Sequence, residues 1–346
     1  MKRLENQEID KSGAARPLTI VDVARAAGVA QSTVSLFFRD PSRVAPKSAE
    51  KIRRVVSETG YRPNLAASGL RSLRSQIVGV MVPSLTEFTG AAAVETLQAE
   101  LRAANLQTQI NLTNYDKQSE ADSLEALLAW SPAGIVLTGT DHSQGVRIRL
   151  LEAGIPVVEL WDVSGRAVDL TVGFSHEACG AAMFDHLYEV GARRFAFLGT
   201  RLDLNVRAAK RAKGFMAAAN ARNCHVELFQ SSVGTSMPYL GGVLAGMAFD
   251  VVDGYDAFAC SHDLIALGAL FEAQRRSIRV PEKTKIIGFG DASFCTSTVP
   301  SLSTIAPPSK EIGIVAVREL TARIRGERSQ RRVFDLGFDL IRRGTT

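Results

Sequence analysis

Leu18-Thr-Ile-Val-Asp-Val-Ala-Arg-Ala-Ala-Gly-Val-Ala-Gln-Ser-Thr-Val-Ser-Leu36 reads as two short helices meeting at a tight turn. Thr19 suits an N-cap, because its hydroxyl can accept an orphan backbone N–H at the helix start. Val23, Ala24 and Ala27 then form a small apolar face. Gly28 stands where the chain must turn sharply, and glycine reaches positive φ without a Cβ clash. Val29 plugs the angle. A second helix beginning near Gln31 carries Val34 inward and leaves Gln31, Ser32, Ser35 and Leu36 pointing outward. This is the pattern of a helix-turn-helix whose second helix enters the major groove of DNA. An ordinary helical hairpin in a larger core is the alternative.

The next segment, residues 44–56, has Pro46 at a first helical position and Ile52, Val55 and Val56 at helical spacing. A third helix there covers the open side of the first two. Gly60-Tyr-Arg-Pro-Asn64 ends it, and Leu65-Ala-Ala-Ser-Gly-Leu70 is a further weakly helical segment. Charge points the same way: residues 1–75 hold 14 Lys/Arg against 7 Asp/Glu, a net of +7, while the remainder carries −2. A basic head on a near-neutral body fits phosphate contacts by a DNA-binding domain.

From Ile77 the texture changes. IVGVMV is a continuous apolar run closed by Pro83, the mark of a buried parallel strand. TQINLT, GIVLTG, PVVEL, DLTVGF, RFAFLG, HVELFQ, AFAC and KIIGFG supply further strands, with helical segments such as AAAVETLQAELRAAN between many of them. Such alternation predicts parallel sheets with helices on both faces, and about 270 residues are too many for one ordinary sheet of this type. The 346 residues are 46% hydrophobic and 22% charged, as a globular protein with a sizeable core requires. No apolar run approaches the roughly 20 residues that span a bilayer. The polar N-terminal stretch lacks a signal-peptide centre, and Cys179, Cys224, Cys260 and Cys295 are widely spaced. Both point to the cytoplasm.

The motifs together resemble the LacI/GalR family of bacterial transcription regulators. The family pattern T-I-x-D-V-A-x-x-A-G-V-x-x-x-T-V-S is met from Thr19 to Ser35, and Y-x-P-N-x-x-A-x-x-L-R from Tyr61 to Arg71. Gly154-Ile-Pro-Val-Val, Arg211-Ala-Lys-Gly-Phe215 and Pro300-Ser-Leu-Ser-Thr304 match landmarks of its body. Val82-Pro-Ser-Leu-Thr, Leu198-Gly-Thr-Arg-Leu-Asp203 and Asp335-Leu-Gly-Phe are closest to the gluconate-repressor branch.

The resemblance implies an all-α helix-turn-helix DNA-binding domain followed by an α/β periplasmic-binding-protein-like body of two doubly wound subdomains. The boundaries expected are an arm over 1–16, the DNA-binding domain over 17–62, and a hinge helix and linker over 63–75. An effector-binding and dimerisation domain over 76–346 follows. Its N-subdomain comprises 76–173 and 307–332, and its C-subdomain 174–306 and 333–346, so the chain crosses near 172–175, 304–307 and 332–335.

Site roles follow from the same likeness. Gln31, Ser32 and Leu36 fall where family members read base edges; Leu offers only contact with a thymine methyl, where many relatives carry Arg. Thr33 and Ser35 suit phosphates, and Thr19, Tyr61 and Asn64 complete the expected DNA-facing set. Leu70 matches the hinge leucine wedged into the minor groove, with Arg71 beside it. Paired wedges imply a homodimer on a near-palindromic operator. Effector positions map onto Ser84 and Phe88, His142, Asp162, Phe174, Arg201, Arg211, His262 and Gly290. Phe174 would present a ring face to a sugar and Arg211 a fork to a carboxylate. Gly290 stands where sugar-binding members often carry Asp. The expected ligand is a small sugar acid such as gluconate; a neutral or a phosphorylated sugar is the alternative.

Catalytic motifs are weak. Gly173-Phe-Ser-His-Glu177 lacks the second glycine of a nucleophile elbow, and Gly288-Phe-Gly290 lacks the dinucleotide-binding spacing. No P-loop or H-E-x-x-H occurs, and His142, His176, His186, His225 and His262 are scattered. The expectation is a regulator with no cofactor and no metal. An enzyme, or a sugar-binding protein built on the same two-lobed body, is the less favoured alternative.

Overall fold

The computed structural model describes residues 18–62, 75–85, 88–231, 237–252, 254–327 and 330–346, and the chain divides into two compact units, Met1–Leu73 and Arg74–Thr346. In the first unit, α1 (Ile20–Ala27) starts on a capping box. The Asp22 N–H donates to the Thr19 hydroxyl at 3.4 Å, and the Thr19 N–H donates to the Asp22 carboxylate at 2.9 Å. Gly28 takes φ +62°, so its N–H and that of Val29 return to the carbonyls of Arg25 and Ala24. Helix α2 (Gln31–Arg39) follows after three residues, and α3 (Pro46–Thr59) begins on its proline. Val23, Val34 and Ile52 meet in a core where each is essentially inaccessible. Burying a side chain of this size contributes about 1.5–3 kcal/mol.

Two expectations for this unit change. Leu36 does not stand clear of the protein: it is half-buried and packs against the core through the same α2 face as Phe37. Tyr61 is buried, its ring 5.8 Å from Phe38, so it closes the base of the domain. Asn64, Leu70 and Arg71 lie outside the described residues.

The second unit contains two six-stranded sheets. Strands β1 (Ile77–Val82), β2 (Gln107–Leu112), β3 (Gly134–Thr138), β4 (Val157–Asp162) and β5 (Leu170–Phe174) alternate with α4 (Phe88–Ala103), α5 (Lys117–Leu128) and α6 (Gln144–Ala153). The chain then crosses into the second lobe. There β6 (Phe195–Thr200), β7 (Val226–Ser231), β8 (Ala257–Cys260), β9 (Lys285–Phe289) and β10 (Ser303–Ala306) alternate with α7 (His176–Glu189), α8 (Val206–Ala221), α9 (Met237–Phe249) and α10 (Asp263–Arg275). It returns through α11 (Ser309–Ile324) to β11 (Val333–Asp335) and ends with β12 (Asp339–Ile341). The first sheet runs β11-β5-β4-β3-β1-β2, all parallel. The second runs β12-β10-β9-β8-β6-β7, with only β12 antiparallel.

Strand β11 corrects one boundary. Val333, Phe334 and Asp335 pair with Thr171, Val172 and Gly173, so this segment belongs to the first sheet. The third crossing therefore falls at 336–338 rather than 332–335. The reason is Phe334, which is buried beside β5 while its two neighbours face out.

One apolar cluster, which includes Trp161, Phe174 and Phe289, runs through both lobes, and each lobe holds a further cluster of its own. Helices α7 and α8 touch backbone to backbone. A Cβ on Gly180 would sit 1.9 Å from the Arg211 carbonyl oxygen, and one on Gly214 2.0 Å from that of Glu177. That double close approach seats Arg211 directly against the start of α7.

Candidate functional site: a cleft between two lobes

A cavity open to solvent lies between the C-terminal edges of the two sheets. This is the usual place for ligands in open α/β sheets. The first lobe contributes Val82, Pro83, Ser84, Thr138, Leu160 and Trp161, and α4 adds Val94 and Leu97. The second lobe contributes His176, Thr200, Asn205, Arg207, Arg211, Ser261, His262 and Phe289. Among the described residues lining it there are two arginines and two histidines but no aspartate or glutamate.

Arg211 is the centre of the second lobe's contribution. It is almost wholly buried, its Nη2 donates to the Ser261 carbonyl at 2.6 Å, and its Nη1 bonds His176 Nδ1 at 2.9 Å. Its guanidinium carbon lies 3.7 Å from the centroid of the Phe289 ring, a cation–π arrangement. Burial, followed by the charges of Arg211, Arg207 and Lys210, holds His176 well below the ordinary histidine range, so its imidazole is neutral. His262 caps α10, its Nδ1 accepting from the Leu264 N–H at 3.3 Å.

The structure places Ser84, Arg211 and His262 around this cavity, as the sequence predicts. The side chain of Phe88 lies outside the described residues. Five expected positions do not line the cavity. Phe174 is fully enclosed, its ring 6.4 Å from Trp161, 6.2 Å from Phe289 and 6.3 Å from Phe338. It is the pivot of the hinge core, and Trp161 and Phe289 present the aromatic faces instead. Trp161 does so from φ +77°, an unusual backbone for a bulky residue and one kept where a site requires it.

Asp162, almost inaccessible, accepts from Lys210 Nζ of the other lobe and from the Ser164 hydroxyl at 2.7 Å, while Lys210 also donates to Ser164 at 2.9 Å. It ties the lobes together beside the cleft. His142 is enclosed between two carboxylates, with Nδ1 2.6 Å from Glu120 and Nε2 3.4 Å from Glu159. Burial alone would lower its pKa, but hydrogen bonding and charge from the two glutamates outweigh it and raise it to about 9. Arg201 is exposed on the loop after β6. Gly290 donates its N–H to the Ile305 carbonyl at 2.8 Å, and the adjacent Asp291 carboxylate is held by Arg343 at 2.6 Å.

The sequence reading missed Arg207, Asn205, His176 and Trp161. Arg207 and Arg211 are four apart, one helical turn on α8, a spacing visible in the sequence.

On the small helical unit, Gln31 and Ser32 are exposed at the start of α2, while Thr33 and Ser35 are half-exposed on it. These are the α2 side chains that the sequence predicts to face DNA.

Comparison with known proteins adds to this geometry. A family profile described as bacterial regulatory proteins, lacI family, matches residues 19–64, and a periplasmic binding protein-like domain matches residues 184–346. The chain is 36% identical over 334 residues to the HTH-type transcriptional regulator GntR of Pseudomonas aeruginosa, covering 95% of each chain. It is 33% identical to the GntR regulator of Escherichia coli K12, covering 94% of this chain and 97% of that one. A crystal structure of a LacI-family transcriptional regulator from Silicibacter pomeroyi superposes with a TM-score of 0.87 at 29% identity, over 95% of this chain and 99% of the other.

Proposed function

This chain belongs to the LacI family of bacterial transcriptional regulators, and on that premise we propose that it is a repressor released from its operator by a small sugar acid of the gluconate type. As a DNA-binding regulator it is not an enzyme. The observation that carries the effector assignment is the charge of the cleft. It is lined by Arg207 and Arg211 and by no carboxylate among the described residues; Asp141, which feels the charge of Arg207, lies outside this lining and is held by Lys117 at 2.9 Å. An anion meets no like charge there, and a guanidinium supplies paired N–H donors for a carboxylate. The apolar wall of Val82, Leu160, Trp161 and Phe289 suits the C–H edges of a polyol chain. A neutral hexose would leave the cationic lining without a counter-charge.

For DNA, Gln31 is assigned to pair with adenine and Ser32 to a second base edge, with Leu36 restricted to a thymine methyl because its side chain has no hydrogen-bonding group. Leu70 and Arg71 are assigned to the minor groove of a near-palindromic site read by a homodimer. Ligand binding changes the angle between the lobes. It releases DNA only if the ligand favours one lobe arrangement over the operator-bound one, with coupling of about 1–3 kcal/mol typical. Mobility-shift titration of genomic fragments tests the reading. Gluconate or a ketogluconate is expected to dissociate a specific complex; release by neutral hexoses alone rejects the effector assignment.

A further inference from the structure

His176 was not among the residues that the sequence singles out for the effector, yet it lines the cleft while being only 2% exposed. Its ring is fixed on three sides. Phe174 lies 4.7 Å away and Phe289 5.8 Å away, centroid to centroid, and Arg211 Nη1 sits 2.9 Å from Nδ1. The last contact settles the proton. A guanidinium is always charged and has no acceptor, so Nδ1 must be the acceptor and the hydrogen must reside on Nε2. Nε2 is buried and makes no hydrogen bond of normal geometry among the described residues, a weak one to the Trp161 backbone being the smallest influence on the ring. Buried donors left without an acceptor are uncommon in folded proteins and call for an explanation.

We propose that His176 is an effector-reading donor: a neutral imidazole locked by Arg211 as the Nε2–H tautomer, which offers that N–H to an acceptor oxygen of the ligand. Arg211 then acts twice, as a cation facing the cleft and as the group that fixes the tautomer of its neighbour. The pair makes the site selective for a ligand presenting a bare oxygen at this point. An ammonium or amide N–H there would face a second donor, which is why an amino sugar acid should be rejected. The close approach of α7 and α8 through Gly180 and Gly214 is what keeps the two side chains in register. The inference rests on the sugar-acid reading only for its choice of probe.

The test has two arms on the full chain. Calorimetry with D-gluconate compares wild type, His176→Phe, which keeps the ring but no nitrogen, and His176→Gln, whose amide can both accept from Arg211 and donate. Binding is expected to weaken at least tenfold in His176→Phe and by only a few-fold in His176→Gln, with 2-amino-2-deoxy-D-gluconate at least tenfold weaker than gluconate in wild type. Equal affinity of wild type and His176→Phe overturns the proposal. The second arm needs no ligand and uses the His176→Gln protein only to assign the resonance. Ring-¹⁵N histidine NMR of the wild-type protein at pH 7 should show a histidine in the Nε2–H form that is missing from a His176→Gln sample. An imidazolium or an Nδ1–H ring overturns the proposal. If gluconate binds none of the proteins while the tautomer is as stated, the effector assignment fails and the locked donor stands.

Discussion

The cage around His142 makes a quantitative prediction. Two carboxylates, Glu120 at 2.6 Å and Glu159 at 3.4 Å, enclose an imidazole whose pKa they raise from 6.5 to about 9, with Arg147 3.9 Å from Glu159 on the far side. A pKa displaced by that amount corresponds to about 3 kcal/mol favouring the folded state. The folded pKa is the higher one, so the stabilisation is complete below pH 6.5 and is lost as pH rises through about 9. His142→Gln keeps a similar size and one donor but carries no charge, so this dependence should vanish. It should also destabilise by about 3–5 kcal/mol at pH 6, the usual cost of breaking a buried ion pair. Trp130 and Trp161, the two tryptophans of the chain, both lie in the second unit, so their fluorescence in denaturant titrations reports that unit alone. The wild-type advantage over the variant should shrink by about 3 kcal/mol between pH 6 and pH 9.5. An advantage that stays constant across that range would show that His142 is neutral in the fold and refute the reasoning.

Further outcomes follow from other contacts. Gly214→Ala should push α8 away from the Glu177 carbonyl, destabilise by about 1–3 kcal/mol and lower effector affinity together, since Arg211 moves with the helix; denaturation paired with calorimetry checks both, and unchanged affinity contradicts the coupling. Lys210→Met should leave Asp162 buried with Ser164 as its remaining hydrogen-bond partner among the described residues and cost about 1–3 kcal/mol in the unfolding of the body; no change in the denaturation midpoint tells against the inter-lobe tie. Leu70→Ala should weaken binding to the specific operator and spare salt-sensitive binding to random DNA, because phosphate contacts remain; equal losses on both DNAs, measured by anisotropy, argue against a wedge. Light scattering should give about 75 kDa, twice the 37.3 kDa chain; a 37 kDa particle at micromolar concentration rules out the dimer.

Periodicity and cap chemistry carried the helical unit and nine of the strands, because Thr19, Gly28 and Pro46 act locally and buried parallel strands are uninterrupted apolar runs. Strands β10, β11 and β12 are three or four residues long, and their place depends on partners distant in sequence, as Phe334 on β5 shows. The cleft was half legible. His262 caps a helix directly after a strand and Arg211 lies in the second turn of another, so sequence position indicates where they fall. Phe174 and Trp161 are thirteen residues apart on paired strands, and nothing local tells which ring is enclosed. That depends on the positive φ of Trp161 and on the closure of Phe289 and Phe338 over Phe174. His142 and Asp162 were misplaced for a related reason: their counter-charges, Glu120 and Lys210, come from other helices.

The most direct test of the account is calorimetric titration of gluconate, ketogluconates and neutral hexoses into the wild-type protein and Arg211→Ala, with operator release followed in parallel. An acid should bind wild type more tightly than any neutral hexose. Loss of a charge-assisted contact worth about 1.5–3 kcal/mol should then weaken it by about 10–100-fold in the variant, and ligand should no longer release the operator. Tighter binding of a neutral hexose, or an Arg211→Ala protein that still lets go of DNA when the acid is added, would contradict it.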